Sequence, residues 1–340
     1  MNHLSKSALL KSVLITALFP LVIVSCEKKE EAAAPAAEAP AATTTAAAGG
    51  EAATCSTVKF ADIGWTDITA TTALSSTVLE GLGYKAESTI ASVPIAFAGL
   101  KKGQIDAFLG YWSPSMTPIL DPFLKEKAVT VLDKPNLVGA KYTLAVPKYA
   151  YDAGLKSFAD IGKFTKELDG KIYGIEPGND GNKLIADMIT KDAFGLKSFK
   201  MVESSEAGML TEVSRSVKDK KWIVFLGWAP HQMNVQQDIV YLSGGDDFFG
   251  PNYGEAKVYT VTSNELATRC PNVNKLVTNL EFNVGMENEV MLPIMDKKAP
   301  NEAAKAWLAK NPATLDAWLA GVNTVDGKPG LEAVKKYLGV

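Results

Sequence analysis

The chain is short of the residues from which most catalytic and metal sites are built. Its 340 residues hold two histidines and three cysteines. His3 sits in a segment with the marks of a removable leader, so His231 is the sole remaining histidine candidate. Histidine-rich metal centres and a Ser-His-Asp triad therefore have almost nothing to draw on. Charge of one sign is missing too: 35 Lys and Arg stand against 38 Asp and Glu, a net −3, with no basic block in the body. Nucleic-acid binding needs clustered cationic charge, which disfavours that class. Nor does any apolar run reach the roughly 20 residues of a comfortable membrane span. What is present is an even mixture, 47% hydrophobic and 21% charged. That is enough to bury a sizeable core, in about two domains by length.

The N-terminus carries Lys6 and Lys11, an apolar stretch from Val13 to Val24, then Ser25-Cys26. A positive flank, a short apolar core and a small residue before the cut are what a secretory signal requires. Ile23-Val24-Ser25-Cys26 resembles a bacterial lipoprotein box, in which the cysteine becomes the lipidated first residue. The expectation is that residues 1–25 are removed and Cys26 is the lipid anchor; a secreted protein cut elsewhere is the alternative. Losing two lysines and no acid takes the charge from −3 to −5. Residues 26–54 are dominated by Ala, Pro, Glu, Thr and Gly. Such a segment has no apolar bulk to repay the entropy of ordering, so it reads as a tether. Cys55 and Cys270 then remain as an even pair in an exported protein. A bridge between them would be worth up to about 5 kcal/mol by loop entropy. Two unpaired thiols are the other possibility.

The body reads as alternating strands and helices. Strands are expected at Val58–Trp65, Ser88–Val93, Ile105–Tyr111, Tyr142–Val146, Ile172–Ile175, Trp222–Leu226 and Val258–Val261. Helical patterns cover Ile68–Leu82, Phe97–Lys102, Lys183–Lys191, Ala207–Val217, Asn301–Leu319 and Leu331–Leu338. This alternation implies an α/β chain with largely parallel sheets.

Three of those strands finish alike: Asp62-Ile63-Gly64-Trp65, Phe108-Leu109-Gly110-Tyr111-Trp112 and Phe225-Leu226-Gly227-Trp228. Open α/β sheets bind ligands in the crevice at the carboxyl ends of strands. Glycine there allows close backbone approach. One such tryptophan is a core residue by default; three in the same topological place favour a shared pocket. Trp222, Trp307 and Trp318 lack that context and read as core. Several aromatic faces in one cleft suit a cation whose charge is spread over methyl groups, because it cannot donate a strong hydrogen bond. Each desolvated face contributes on the order of 2 kcal/mol. Sugars also stack on tryptophan, so the pattern alone does not choose between them.

From about Cys55 to Leu319 the chain resembles the substrate-binding proteins of quaternary-ammonium ABC transporters, the wider glycine betaine/proline-betaine binding family. The resemblance rests on FADIGWTDITATTA from Phe60, KYTLAVPKY from Lys141, KIYGIEPGNDGNKLI from Lys171, WIVFLGWAPHQMN from Trp222 and GGDDFFGPNYGEAKV from Gly244. It implies a type II periplasmic fold, with two α/β lobes, two hinge strands and a ligand cleft between the lobes. One lobe would comprise 55–135 and 250–340, the other 136–249. The implied cage is Trp65, Trp112, Tyr142 and Trp228, with Asp67 and Asn179 holding the hydroxyl of choline. Tyr142 alone would read as an ordinary strand aromatic, and Asp67 and Asn179 could each be helix N-caps. Tyr111 stands where the family segment has a smaller polar residue.

The implied function is capture of choline, or of acetylcholine, for a membrane permease and ATPase. Glycine betaine or carnitine is the alternative ligand within the family. No cofactor is implied, and contact with the membrane is through the lipid anchor only, on the periplasmic side. Charge argues for choline, since an ionised Asp67 would repel the carboxylate of betaine. A hydroxyl could donate to Asp67 and accept from the Asn179 amide. A choline-ester hydrolase is the enzymatic rival, but it needs an activated nucleophile beside a base. Only His231 could serve as that base, and no Gly-x-Ser-x-Gly elbow accompanies it. A tethered sensory or adhesive module on the same fold is the other rival.

Overall fold

A computed structural model describes residue 51 and residues 55–340. The expected leader, Cys26 and nearly all of the tether lie outside the described residues. Among the described residues nine strands form one sheet: β1 (Thr57–Asp62), β2 (Lys85–Ile90), β3 (Ala107–Ser113), β4 (Val129–Pro147), β5 (Lys171–Tyr173), β6 (Lys200–Val202), β7 (Phe225–Ala229), β8 (Ile239–Tyr241) and β9 (Glu255–Ser263). Their order is β2-β1-β3-β9-β4-β7-β5-β6, with β8 on β4.

Two parallel groups occupy the ends of this order. β1 runs parallel to β2 and β3, and β5 runs parallel to β6 and β7. Between them, β4 and β9 are antiparallel to each other and to the strands they flank. The expectation of largely parallel sheets is corrected: parallel pairing holds within each group and antiparallel pairing joins them. The 19 residues of β4 span on the order of 60 Å, so one strand serves both groups. Residues 129–141 pair with β9, and residues 141–147 pair with β7 and β8.

That shared role explains the sequence's poor signal for β4, of which only Tyr142–Val146 was expected. Its register shifts near Pro135, Leu137 and Ala140, so no single alternation persists along it. β2 begins three residues before the expected strand and is mostly exposed; an edge strand needs little apolar patterning. Val93, placed at the end of that strand, instead opens the helix Val93–Lys101. The three-residue strands β6 and β8 were not anticipated, being too short to show a period. The expected helix at Asn301–Leu319 is two, Pro300–Lys310 and Thr314–Trp318, because Pro312 cannot continue the first.

The core contains Phe60, Phe97, Phe108, Phe158, Phe225 and Trp318 at 2% exposure or less. Trp222 and Trp307 are only half-buried, which corrects their reading as core: Trp307 donates to Glu289 at 2.6 Å, and Trp222 packs on Phe164 near the surface. The sulfurs of Cys55 and Cys270 lie at bonding distance, with Cα atoms 5.5 Å apart. Residue 51 is fastened beside them. Glu51 accepts from the Tyr84 hydroxyl at 2.5 Å and from the Asn272 amide at 2.7 Å. Among the described residues, no helix is long and apolar enough to cross a membrane.

Candidate ligand-binding site

The three tryptophan-bearing ends converge at the carboxyl ends of β1, β3 and β7. After β1, Gly64 takes φ +82°, a conformation that side-chain-bearing residues resist. Its amide donates to Asp62 at 2.7 Å, and the turn delivers Trp65 to the start of the helix Thr66–Gly81. The other two glycines act differently from the expectation of close ligand approach. A Cβ on Gly110 would stand 2.7 Å from the Ile68 side chain, and one on Gly227 would stand 2.9 Å from Ala145. They admit neighbouring side chains, not ligand.

On β3, Tyr111 and Trp112 face opposite ways, as successive strand residues must. Tyr111 turns to Tyr259 and bonds the Thr117 hydroxyl at 2.9 Å, leaving Trp112 on the crevice side. Tyr142 of β4 is the direct cross-strand partner of Trp228 of β7. Its ring meets Trp228 at 6.4 Å and Trp112 at 6.0 Å, both edge to face. Trp65, Trp112, Tyr142 and Trp228, with Met116, Ile175, Asn179 and Asp180, line one cavity. All four cage aromatics are buried.

Hydrogen bonds fix the cage walls. The Trp65 indole donates to both oxygens of Glu176 at 3.0 Å. The Tyr142 hydroxyl donates to Asn179 Oδ1 at 2.8 Å. That same oxygen accepts the Asn182 amide at 3.1 Å, so Asn179 is both N-cap of the helix Asp180–Thr190 and part of the lining. The Asn179 amide group reaches Asp180 Oδ1 at 3.2 Å. Asp180 Oδ2 and Trp112 Nε1 are buried without a hydrogen-bond partner. An unpartnered buried polar atom costs about 1–3 kcal/mol, and a ligand group would relieve it.

Five of the six expected ligand residues line the cavity; Asp67 does not. It is buried beside the Trp228 side chain, and both of its oxygens lack a partner of ordinary hydrogen-bond geometry. It is not a cap either, since the helix Thr66–Gly81 has no side-chain N-cap of its own. Burial and then the charge of Glu206 push the Asp67 carboxyl well above the usual carboxylate range. Asp180, raised by burial to about 6, lines the cavity, and Glu176, raised by burial to about 7, holds the Trp65 indole. Asp180, Met116 and Ile175 were not picked out from the sequence. Asp180 carried a signal, following Asn179 in the same loop; Met116 and Ile175 carried none, because only folding brings them near. No cluster of possible metal ligands occurs among the described residues.

Residues 56–310 match the family described as the substrate-binding domain of ABC-type glycine betaine transport systems. The chain belongs to that family. Its members are transport proteins that bind a substrate, not enzymes. The fold is that of a type II periplasmic binding protein, two α/β lobes with a ligand cleft. It is similar to an ABC-transporter choline-binding protein solved in complex with choline, at 53% identity and TM-score 0.83, over 85% of this chain and 100% of that one. It is also similar to lactococcal OpuAC in its closed, glycine-betaine-bound conformation, at 26% identity and TM-score 0.70, over 78% of this chain and 99% of that one. The glycine betaine/carnitine transport binding protein GbuC of Listeria monocytogenes is 31% identical over 169 residues, which is 49% of this chain and 54% of that protein.

Proposed function

We propose that the protein is the binding component of an ABC importer and captures choline in the cage of Trp65, Trp112, Tyr142 and Trp228. Ring faces substitute for water around a trimethylammonium group that cannot donate a strong hydrogen bond. The observation that carries choline over betaine is the cavity's charge. Among the described residues its lining includes Asp180 and no Lys or Arg, so an anionic ligand end meets no cation there. A carboxylate there would face repulsion from Asp180 in a low-dielectric site. Asn179, Asp180 and the adjacent Asp67 are the partners for a hydroxyl. The 53% identity to a choline-binding protein supports the same ligand. The likeness to GbuC keeps glycine betaine and carnitine as the alternative. Calorimetry against choline, acetylcholine, glycine betaine and carnitine tests the proposal. Tighter binding of betaine than of choline would overturn it.

The lobes would be 55–135 with 250–340, and 136–249, with β4 and β9 as the hinge strands. Ligand would be handed from the closed cleft to the permease and ATPase. Export would put the protein in the periplasm, where the Cys55–Cys270 bridge forms. Lipid on Cys26 would hold it at the membrane. Cys26→Ala should then release the protein to the soluble fraction, and unchanged membrane fractionation would sink the anchor.

A further inference from the structure

Glu206 is the first residue of the helix Glu206–Lys218, which follows β6. Its side chain does not serve its own helix. It reaches to the turn after β1, in the other parallel group. Oε2 accepts the Thr66 backbone N–H at 2.9 Å, and Oε1 accepts the Thr66 hydroxyl. Thr66 follows cage residue Trp65 and opens a helix that lacks a side-chain cap of its own. Glu206 therefore supplies that cap from across the cleft, placing a carboxylate at a helix N-terminus where it is stabilised.

The same oxygen ties in the opposite cage wall. His231 Nε2 lies 3.1 Å from Glu206 Oε1, and His231 Nδ1 accepts the Met233 amide at 2.9 Å. An Nδ1 that accepts leaves the ring proton on Nε2, so a neutral His231 donates to Glu206. The His231 ring packs edge-on against Trp228, with centroids 4.8 Å apart. One carboxylate thus holds the Trp65 turn and the Trp228 turn together. The other titratable groups that feel its charge are Asp62, Asp67 and Glu176, and Glu287 is coupled to Asp67. Burial comes first in raising the Asp67 and Glu287 carboxyls, followed by the Glu206 charge for Asp67 and by Asp67 for Glu287.

We infer that Glu206 is a positioning residue that latches the assembled cage across the closed cleft, through Thr66 on one side and His231 on the other. The latch rests on the two-lobe, ligand-trapping reading of the site. The bonds bias the ligand-free protein toward its closed form, whereas ligand enters through the open form in which they are broken, so their loss acts on release more than on capture.

The test is stopped-flow tryptophan fluorescence with choline on the whole mature protein, wild type against Glu206→Gln, Thr66→Val and the double variant. Glu206→Gln should raise the dissociation rate at least tenfold while the association rate stays within about threefold. Thr66→Val, which deletes one donor from the opposite side, should raise dissociation less. The double variant should fall short of the product of the single effects, because both remove one interaction. An unchanged dissociation rate in both single variants, or strictly multiplicative effects, would overturn the latch. Small-angle scattering of ligand-free proteins separates the latch from the ligand proposal. A wild type that ignores choline but is more compact than Glu206→Gln leaves the latch standing and removes choline. A wild type that ignores choline and matches Glu206→Gln in size removes both.

Discussion

At the scale of single residues, the proposed site divides between Asp180 and Asp67 the work expected of one carboxylate. Asp180→Asn removes the charge at the cavity while keeping the side chain's size. Choline should weaken by about 1.5–3 kcal/mol, the range for an interaction with a charged group, and glycine betaine should weaken less or improve. Equal losses for both ligands in calorimetry would show that Asp180 does not select charge. Asp67→Ala should cost choline about 1 kcal/mol relative to tetramethylammonium, which has no hydroxyl to lose; a parallel loss for both would take Asp67 out of the hydroxyl site. Acidity gives a second handle. Burial raises Asp180 to about 6 and Glu176 to about 7 in the empty cage, whereas a bound cation favours the ionised forms. Choline should therefore release protons on binding, and its affinity should fall as the pH drops from 8 through 7 to below 6. For the ligand-free protein the sign is opposite. A carboxyl raised in the folded state contributes most stability below its unfolded value near 4 and loses it as pH rises through 6 and 7. Choline should accordingly raise the melting temperature more at pH 8 than at pH 5, and an equal rise at both would refute these assignments.

Among the elements, the contact between β4 and the helix Asp180–Thr190 is a close constraint on the cavity wall. Gly181 opens that helix beside Tyr142, and a Cβ there would lie 2.1 Å from the Tyr142 hydroxyl oxygen. Gly181→Ala must displace the ring or the helix start and break the Tyr142–Asn179 bond. Overpacking of this kind costs typically 1–3 kcal/mol. Choline affinity should drop at least tenfold, with Trp228, the cross-strand partner of Tyr142, still in place. Wild-type affinity in a calorimetric titration would mean that Tyr142 is not a wall of the site. The pairing of β4 with β7 sets where Tyr142 stands, which is why this residue looked ordinary from its own neighbours in the chain.

At the scale of the molecule, Trp65 and Trp112 belong to the parallel group of β1 and β3, while Tyr142 and Trp228 lie on the paired strands β4 and β7, which the proposed lobes would place on opposite sides of the cleft. A ligand touching both sides stabilises the closed form by its differential affinity. Small-angle scattering should give a smaller radius of gyration with choline, and an unchanged profile at saturation would count against closure. Much of this molecule was legible in the sequence because the signals are local. Alternating apolar periods marked most strands and helices, and a glycine before each of three tryptophans marked the strand ends that meet at the cavity. The short supply of histidine argues for binding over catalysis, and the family motifs cover most of the body. What the sequence could not supply depends on pairing between distant segments. The antiparallel joint of β4 and β9, the place of Asp180 at the cavity and the reach of Glu206 to Thr66 each join residues far apart along the chain. Only the tertiary structure decides them, because burial and register, which set a carboxyl's charge and a ring's position, are properties of neighbours that the chain order does not name.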